Sequence, residues 1–416
     1  MHHACCRLTD HDATKSISAL PGGKESKTRG CYVFVRVDVG HLIPGQKPPI
    51  ATLTAVLIIP CVFAQCSFPE RYPCQVLPTC IARSPVSARP TETIISARRS
   101  QQSGLSPPAM IAVRTDSPFI DGRSQDKIGI LVICDGHGGS GITADYTASK
   151  LSKRLEDTVQ HFVEDKLNGV VDRETMLSNA DALSTALRRS AHHFDERIGK
   201  AVKKLCPEPE TLTAEQSEAL VKEHLNVIQR AYYGTTFVAA IVNVTIRCMW
   251  TVCIGDSTVG ISTLSTDSRR EWQRLCAMHR LTSPREYFSV AMKHWHQERD
   301  DLTKDDRILG YFPMTRAIGD YAVKLKPSYS DHLFNFLPGL KEDDKRPYPP
   351  STSLKTPPYI SARPSVSFLD LEPMWNADPV ILLFSDGVDS AVKHYHHTQS
   401  ERPVDPGPVI AKLLGR

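Results

Sequence analysis

No charge of one sign dominates this sequence. Its 50 lysine and arginine residues are nearly balanced by 46 aspartate and glutamate residues, which leaves a formal net charge of +4. Nucleic-acid-binding surfaces and contacts with anionic membranes need a concentrated excess of positive charge. We therefore expect no nucleic-acid partner, and the net charge does not indicate any other class of partner.

A long hydrophobic run is also lacking. The longest, residues 51–65 (ATLTAVLIIPCVFAQ), is interrupted by a proline and is shorter than the roughly 20 apolar residues that a membrane span needs. It also lies far from Met1 for a signal peptide. Membrane association is not expected, and this run is a weak signal or anchor candidate. A cytoplasmic or mitochondrial location is favoured, and a secretory one stays open.

The 12 cysteines include no C-x-x-C pair, so a zinc site of that type is not expected. Seven of them lie in the first 80 residues, where they could form disulfides only if that segment were secreted. The other five are scattered singly among apolar stretches, which is typical of reduced core residues.

Residues 1–92 lack any sustained periodicity of 3.6 or 2, and Pro, Ser, Gly and Cys recur throughout them. This composition predicts a disordered or leader extension. We expect the ordered domain to span residues 93–416, beginning with short strands at residues 93–100 and 110–114. With 41% hydrophobic residues, the chain can bury a sizeable core.

Grouped strands and helices follow in the rest of the chain. The apolar run at residues 128–139 predicts a strand buried on both faces, and residues 140–163 have helical spacing. Residues 175–230 suggest two or three further helices, residues 235–263 three strands, and residues 378–392 a last buried strand. Strands and helices in separate groups predict an α+β fold.

An aspartate stands beside a glycine at three of these strand ends: Asp135, Asp256 and Asp386. Taken singly, each pair is most often a turn. Carboxylates that converge from separate strand ends can instead hold hard divalent cations such as Mg²⁺ or Mn²⁺, which prefer oxygen ligands. The combination therefore favours a metal site.

Five short motifs carry a resemblance to a known family. In chain order they are Cys134-Asp135-Gly136-His137-Gly138-Gly139, Gly234-Thr235-Thr236, Ile254-Gly255-Asp256-Ser257, Thr315-Arg316-Ala317-Ile318-Gly319-Asp320 and Phe384-Ser385-Asp386-Gly387. Their types and order resemble the PP2C (PPM) family of metal-dependent protein serine/threonine phosphatases. The run at residues 305–324 and the later Pro-Pro-Tyr segment look closest to the pyruvate dehydrogenase phosphatase branch.

The resemblance implies a central β-sandwich of two antiparallel sheets flanked by helices, with two or three Mg²⁺ or Mn²⁺ ions at one end. Asp135 would bridge two ions, the Gly136 carbonyl and Asp386 would be ligands, and Asp256 would help to hold a third. The substrate would be a protein carrying phosphoserine or phosphothreonine. We expect a monomer.

Two further residues receive roles from the resemblance. His137 would protonate the leaving serine or threonine oxygen, which suits a group that titrates near neutral pH; its alternative role is to stabilise a turn. Arg98, or its neighbour Arg99, would bind the substrate phosphate through its guanidinium fork.

Departures from the family pattern leave an alternative open. Gln102-Ser103 stand where the family has a Glu-Asp pair, and no Asp-Asn pair follows Asp386, so we expect the C-terminal part of the domain to be missing from residues 93–416. The alternative function is a pseudophosphatase, a binding or regulatory module with an incomplete metal site. An unrelated hydrolase using the same aspartates would lack the sandwich.

Overall fold

The computed structural model describes residues 30–39, 53–62, 91–96, 109–118, 127–138, 141–295, 298–340, 348–388, 392 and 405–414. For the first four of these ranges, only the backbone is described.

Fifteen strands lie in the described part of the chain. They are β1 (Gly30–Val39), β2 (Leu53–Val62), β3 (Thr91–Ser96), β4 (Ala109–Pro118), β5 (Lys127–His137), β6 (Gly234–Thr235), β7 (Phe237–Asn243), β8 (Cys248–Ile254), β9 (Thr258–Leu264), β10 (Arg270–Arg274), β11 (Thr303–Lys304), β12 (Arg307–Ile308), β13 (Ile318–Gly319), β14 (Ser365–Asp370) and β15 (Val380–Phe384).

The α-helices of the same residues are α1 (Ile142–Leu167), α2 (Arg173–Ser178), α3 (Ala180–Leu205), α4 (Ala214–Glu223), α5 (Leu225–Tyr232), α6 (Pro284–Ala291), α7 (Arg299–Leu302), α8 (Pro327–His332) and α9 (Pro406–Leu414). Four of them, α2 to α5, cover the region for which the sequence suggested two or three helices. One more helix forms than the sequence suggested, because α4 has a start of its own. Thr213 and Gln216 cap each other reciprocally at its N-terminus.

Two sheets form the centre of the fold. The larger sheet has the order β3-β4-β5-β7-β8-β14, with β6 and β13 continuing it beside the end of β5. The smaller sheet has the order β1-β2-β15-β9-β10. Neighbouring strands are antiparallel except β2 and β15, which run parallel. The predicted α+β fold with antiparallel sheets is confirmed, with this one parallel pair as a difference.

The alternation of side chains along β5 shows how the layers are built. Ile130, Val132 and Cys134 pack with α1 and α3 on one face. Leu131 and Ile133 point to the other face, where they pack with residues of β9 and β15. Because both faces are covered, the continuous apolar run predicts this strand correctly.

Helices cover the outer faces of both sheets. In α1, Leu151, Leu155 and Val159 recur every four residues and are buried against the larger sheet. In α9, Ile410 packs with Phe384 of β15 on the outer face of the smaller sheet. None of the helices in the described ranges is long and apolar enough to cross a membrane.

The segment 1–92, predicted to be a disordered or leader extension, contains backbone that the structure describes. Strand β1 pairs with β2 over ten residues, and β2 in turn pairs with β15. The weak signal or anchor candidate at residues 51–65 overlaps β2. Pairing with β15 gives β2 a long-range partner that local sequence patterns do not reveal. The disordered or leader extension over residues 1–92 stays a prediction. The domain boundary at residue 93 stays a prediction.

Trp250 on β8 joins the larger sheet to α3, and its loss should be costly. The ring is 1% exposed, lies 4.9 Å from the Phe368 ring, and donates from Nε1 to the Ala180 carbonyl at 3.3 Å. We expect Trp250→Ala to reduce the free energy of unfolding by about 3–5 kcal/mol, the usual cost of removing a buried aromatic ring. Urea unfolding measures this loss.

Phe288→Ala is the matched control, because Phe288 is 62% exposed. It should change the free energy of unfolding by less than about 0.5 kcal/mol. A loss for Trp250→Ala no larger than that of the control would contradict the packing of α3 on β8.

Candidate active site

The end of β5 is held in place by two short strands. Gly136 pairs with Thr235 of β6, and His137 pairs with Gly234. The Thr236 N–H donates to the Asp135 carbonyl at 2.9 Å. Strand β13 pairs with the other edge of β6, so that three of the five sequence motifs meet at one place.

Three carboxylates converge there from the ends of three strands. Asp135 lies two residues before the end of β5, Asp256 follows β8, and Asp386 follows β15. Burial raises the pKa of Asp135 well above its usual value, and the charge of Asp386, a hydrogen bond with it, and the charge of Asp256 raise it further. A hydrogen bond with Ser385 only partly opposes these effects. Asp135 is therefore harder to ionise than an ordinary aspartate.

Arg280 supplies positive charge to this group. Its Nε donates to Asp256 Oδ2 at 2.8 Å, and its Nη2 lies 3.4 Å from Asp386 Oδ2. Burial and Asp386 raise the pKa of Asp256, and Arg280 lowers it in part. The guanidinium thus compensates only part of the buried negative charge.

The chemistry of this donor set fits a hard divalent cation, since Asp135, Asp256 and Asp386 offer carboxylate oxygens and retain uncompensated negative charge. Their arrangement is less complete. Among the residues that the structure describes, no three His, Cys, Asp or Glu side chains are placed so that they could hold a metal ion. Arg280 occupies the contacts that a cation would make with Asp256 and Asp386.

His137 forms a buried pair with Asp320. Its Nε2 lies 2.9 Å from Oδ1 and 2.8 Å from Oδ2 of Asp320, and Tyr348 donates to Asp320 Oδ1 at 2.9 Å. Burial lowers the pKa of His137, but the charge and hydrogen bond of Asp320, together with the charges of Asp256 and Asp386, outweigh it, and the net pKa is raised. The His137 side chain remains 23% exposed, so its ring is accessible to a molecule in the site.

Gly234 is needed for this pair. A Cβ at Gly234 would lie 2.2 Å from both Asp320 Oδ1 and His137 Nε2. No side chain fits between them, since real Cβ contacts are never this short. The glycine of the Gly-Thr-Thr motif therefore leaves the space in which His137 contacts Asp320.

A second layer braces the Asp256 turn and β13. The Gly255 N–H donates to His279 Nδ1 at 3.0 Å, and burial with the nearby Arg316 charge lowers the His279 pKa to about 3. Arg316 Nε donates to Glu286 Oε2 at 2.9 Å. His279 is therefore a neutral side chain that stabilises the Asp256 turn. Arg316 of the fourth motif forms an ion pair with Glu286.

The structure brings together most of the predicted site residues. Asp135, Gly136, His137, Asp256 and Asp386 lie at the same end of the sandwich. Arg98 lies outside the described residues. The roles of all six stay predictions.

Sequence reasoning missed two residues. Asp320 stood in a quoted motif without a role, although it has the same position beside a glycine as the other three aspartates. Arg280 had no sequence signal, because it lies 24 residues beyond its partner Asp256.

The family follows from a comparison with protein-family models. The model described as protein phosphatase 2C matches residues 110–397. The chain belongs to this family. The matched range contains all five motifs, so the resemblance that they carry is confirmed.

The curated relatives cover a smaller part of this PP2C chain. It is 26% identical over 134 residues to [Pyruvate dehydrogenase [acetyl-transferring]]-phosphatase 1, mitochondrial, of Homo sapiens and of Rattus norvegicus. This stretch is 32% of the chain and 24% of each relative. The chain thus spans about a quarter of the length of the relatives that it matches.

Solved structures of similar proteins include serine-threonine phosphatase 2C from Toxoplasma gondii and a C. elegans sex determining protein. The first is 13% identical with a TM-score of 0.40, covering 68% of this chain and 75% of that one. The second is 19% identical with a TM-score of 0.37, covering 69% of this chain and 49% of that one.

The raised pKa of Asp135 gives a stability prediction. In metal-free buffer near neutral pH, Asp135→Asn should raise the melting temperature by a few degrees, because the folded state no longer confines this carboxyl beside Asp386 and Asp256. The gain should shrink as the pH falls from the raised pKa of the folded state towards about 3.9, and it should vanish below that value, where the carboxyl is protonated in both states. Thermal melts across this pH range measure it.

Asp165→Asn is the control, since Asp165 is exposed on α1. It should change the melting temperature only slightly, because an exposed surface substitution removes no packed contact. A lower melting temperature for Asp135→Asn near neutral pH would show that its carboxylate is well compensated in the folded chain.

Proposed function

We propose that this PP2C-family chain is a protein serine/threonine phosphatase that cleaves phosphoserine and phosphothreonine by attack of water. The observation that carries the proposal is the placing of three converging carboxylates beside the His137–Asp320 pair. Family membership alone does not decide activity, because one fold can host different functions.

Asp135 and Asp386, with the Gly136 carbonyl, would hold two Mg²⁺ or Mn²⁺ ions, and Asp256 would contribute to a third. When bound, such ions lower the pKa of water so that it can act as a nucleophile near neutral pH, and they offset charge on the phosphoryl oxygens. Arg280 would give up part of its contact with Asp386, and its guanidinium would stay beside Asp256 through the shorter bond.

His137 would donate a proton to the leaving serine or threonine oxygen. Asp320 supports this role in two ways: it fixes the ring through Nε2, and its charge keeps the imidazole protonated to a higher pH. For proton donation, Nε2 would have to exchange its Asp320 contact for the leaving oxygen, or Nδ1 would have to face the substrate. Arg98 is the proposed phosphate-binding residue.

The substrate and location are also proposals. A phosphoprotein is the expected partner, with the chain acting as a monomer that binds neither nucleic acid nor membrane. The relatives that match are mitochondrial pyruvate dehydrogenase phosphatases by name. This likeness supports a mitochondrial location over a cytoplasmic one, and a phosphorylated metabolic enzyme as a first substrate to try.

Metal dependence tests the proposal most directly. The purified chain should hydrolyse an aryl phosphate only with added Mn²⁺ or Mg²⁺, and Asp135→Asn should lower kcat/KM by at least about a hundredfold, because a carboxylate ligand is lost. Steady-state kinetics with and without a chelator measure both effects.

Asp165→Asn again serves as the control and should leave kcat/KM unchanged. Hydrolysis that persists in chelator, or an Asp135→Asn variant with full activity, would contradict the metal-dependent mechanism. No hydrolysis by the folded chain at millimolar Mn²⁺ would overturn the phosphatase proposal and favour a binding module.

The His137–Asp320 pair predicts a pH effect that depends on the leaving group. His137→Ala should slow cleavage of a phosphoserine peptide by about a hundredfold while hardly changing an activated aryl phosphate, whose leaving group departs without a proton. Asp320→Asn should shift the alkaline limb of the peptide profile to lower pH, because the raised His137 pKa loses its main cause.

Asp331→Asn is the control for charge, since Asp331 is exposed at α8 and outside the site. It should leave the peptide pH profile in place. Equal losses on both substrates for His137→Ala would instead assign this residue a structural role.

A further inference from the structure

Two cysteine thiols face each other below the Asp256 turn. Cys253 is 1% exposed on β8, and Cys276 is 8% exposed just after β10. Both belong to the core between the two sheets, and their thiols are hydrogen-bonded to each other. Each is a free cysteine.

Cys276 has an environment that stabilises its thiolate. The Val259 N–H donates to its Sγ at 3.3 Å. The Cys253 thiol, this N–H and the Arg274 charge lower the pKa of Cys276 to about 7 against the opposing effect of burial. Cys253 is affected in the opposite direction. Burial and the hydrogen bond to Cys276 raise the pKa of Cys253 well above the usual value.

The other described cysteines lack such an environment. Burial raises the pKa values of Cys134, Cys206 and Cys248. Cys248 lies five residues before Cys253 on the same strand, and therefore on its opposite face, where it packs towards the helices. A buried thiol without a stabilised thiolate is inert, whereas a thiolate with a neighbouring thiol is the usual setting for oxidation to a disulfide.

We propose that Cys253 and Cys276 form an oxidative modification site, at which hydrogen peroxide converts the two thiols into a disulfide. The Cys276 thiolate attacks one peroxide oxygen; the O–O bond breaks, and the departing hydroxide takes up a proton to become water. Cys276 is then a sulfenic acid.

In the second step, the Cys253 sulfur loses its proton and attacks the sulfenic sulfur. The S–O bond breaks, and hydroxide leaves and takes up that proton as a second water. The two thiols lose two electrons and the peroxide gains two, so the sequence is balanced.

The site is joined to the carboxylates of the proposed active centre. Cys253 lies three residues before Asp256 on the same strand end, and Cys276 lies four residues before Arg280, which binds Asp256. The Cys276 thiol also lies 3.8 Å from the Ser257 carbonyl. A disulfide there ties these two segments and moves the segment after β10, and Arg280 with it, relative to the Asp256 turn. Its effect on hydrolysis rests on the proposed function; the modification itself does not.

Peptide mapping of the full chain tests the chemistry without reference to activity. The reduced chain is treated with hydrogen peroxide, its remaining thiols are alkylated, and it is digested with trypsin without reduction. Cleavage at Arg247, Arg269, Arg274 and Arg280 gives peptides 248–269 and 275–280. We expect mass spectrometry to find these two linked, with the link removed by dithiothreitol.

Peptide 248–269 carries both Cys248 and Cys253, so two matched variants assign the bond. The link should remain in Cys248→Ala and be lost in Cys253→Ala. Absence of the link in the peroxide-treated parent chain would overturn the proposed site. Persistence of the link in peroxide-treated Cys253→Ala would overturn it as well.

A second measurement addresses the consequence. Peroxide should lower aryl phosphate hydrolysis severalfold in the parent chain and in Cys248→Ala, reversibly with dithiothreitol, but not in Cys253→Ala. A disulfide that forms while hydrolysis is unchanged would overturn the effect on the Asp256 turn. If the chain shows no hydrolysis even before peroxide treatment, the disulfide-linked peptides still show whether the two cysteines are oxidised.

Discussion

Three carboxylates are confined at one end of the sandwich, and the electrostatic cost of this confinement shapes what surrounds them. Burial disfavours the charges of Asp135 and Asp256, and the charge of Asp386 makes both harder to ionise still. Arg280 offsets part of that cost through Asp256 and Asp386. A fold that maximised stability would not keep this arrangement, so the excess negative charge is best understood as a binding requirement.

The same end of the molecule depends on backbone pairing as much as on charge. Strand β6 lies between β5 and β13 and aligns Gly234 with both His137 and Gly319. Since Gly234 has no side chain, the imidazole of His137 can meet Asp320 across it. A short strand of two residues thus determines the protonation of a histidine, because Asp320 is the main cause of its raised pKa.

The sequence predicted those features that follow from local pattern. The buried strand β5 has an unbroken apolar run, and its end delivers Asp135 and His137 to the surface of the core. The partners of these residues were not predictable in this way. Asp320 is 183 residues from His137 and Arg280 is 106 residues from Asp386, and only tertiary packing joins them. The pairing of β2 with β15 was not predictable from the sequence for the same reason.

The segments that carry Asp256 and Arg280 touch at two levels. At the site, the Arg280 guanidinium binds the Asp256 carboxylate, and His279 accepts the Gly255 N–H beside it. In the core below, the thiols of Cys253 and Cys276 connect the same two segments. Because β8 is rigidly paired on both edges with β7 and β14, a change in the thiol contact cannot be absorbed by that strand. The segment after β10 must move instead, and Arg280 moves with it.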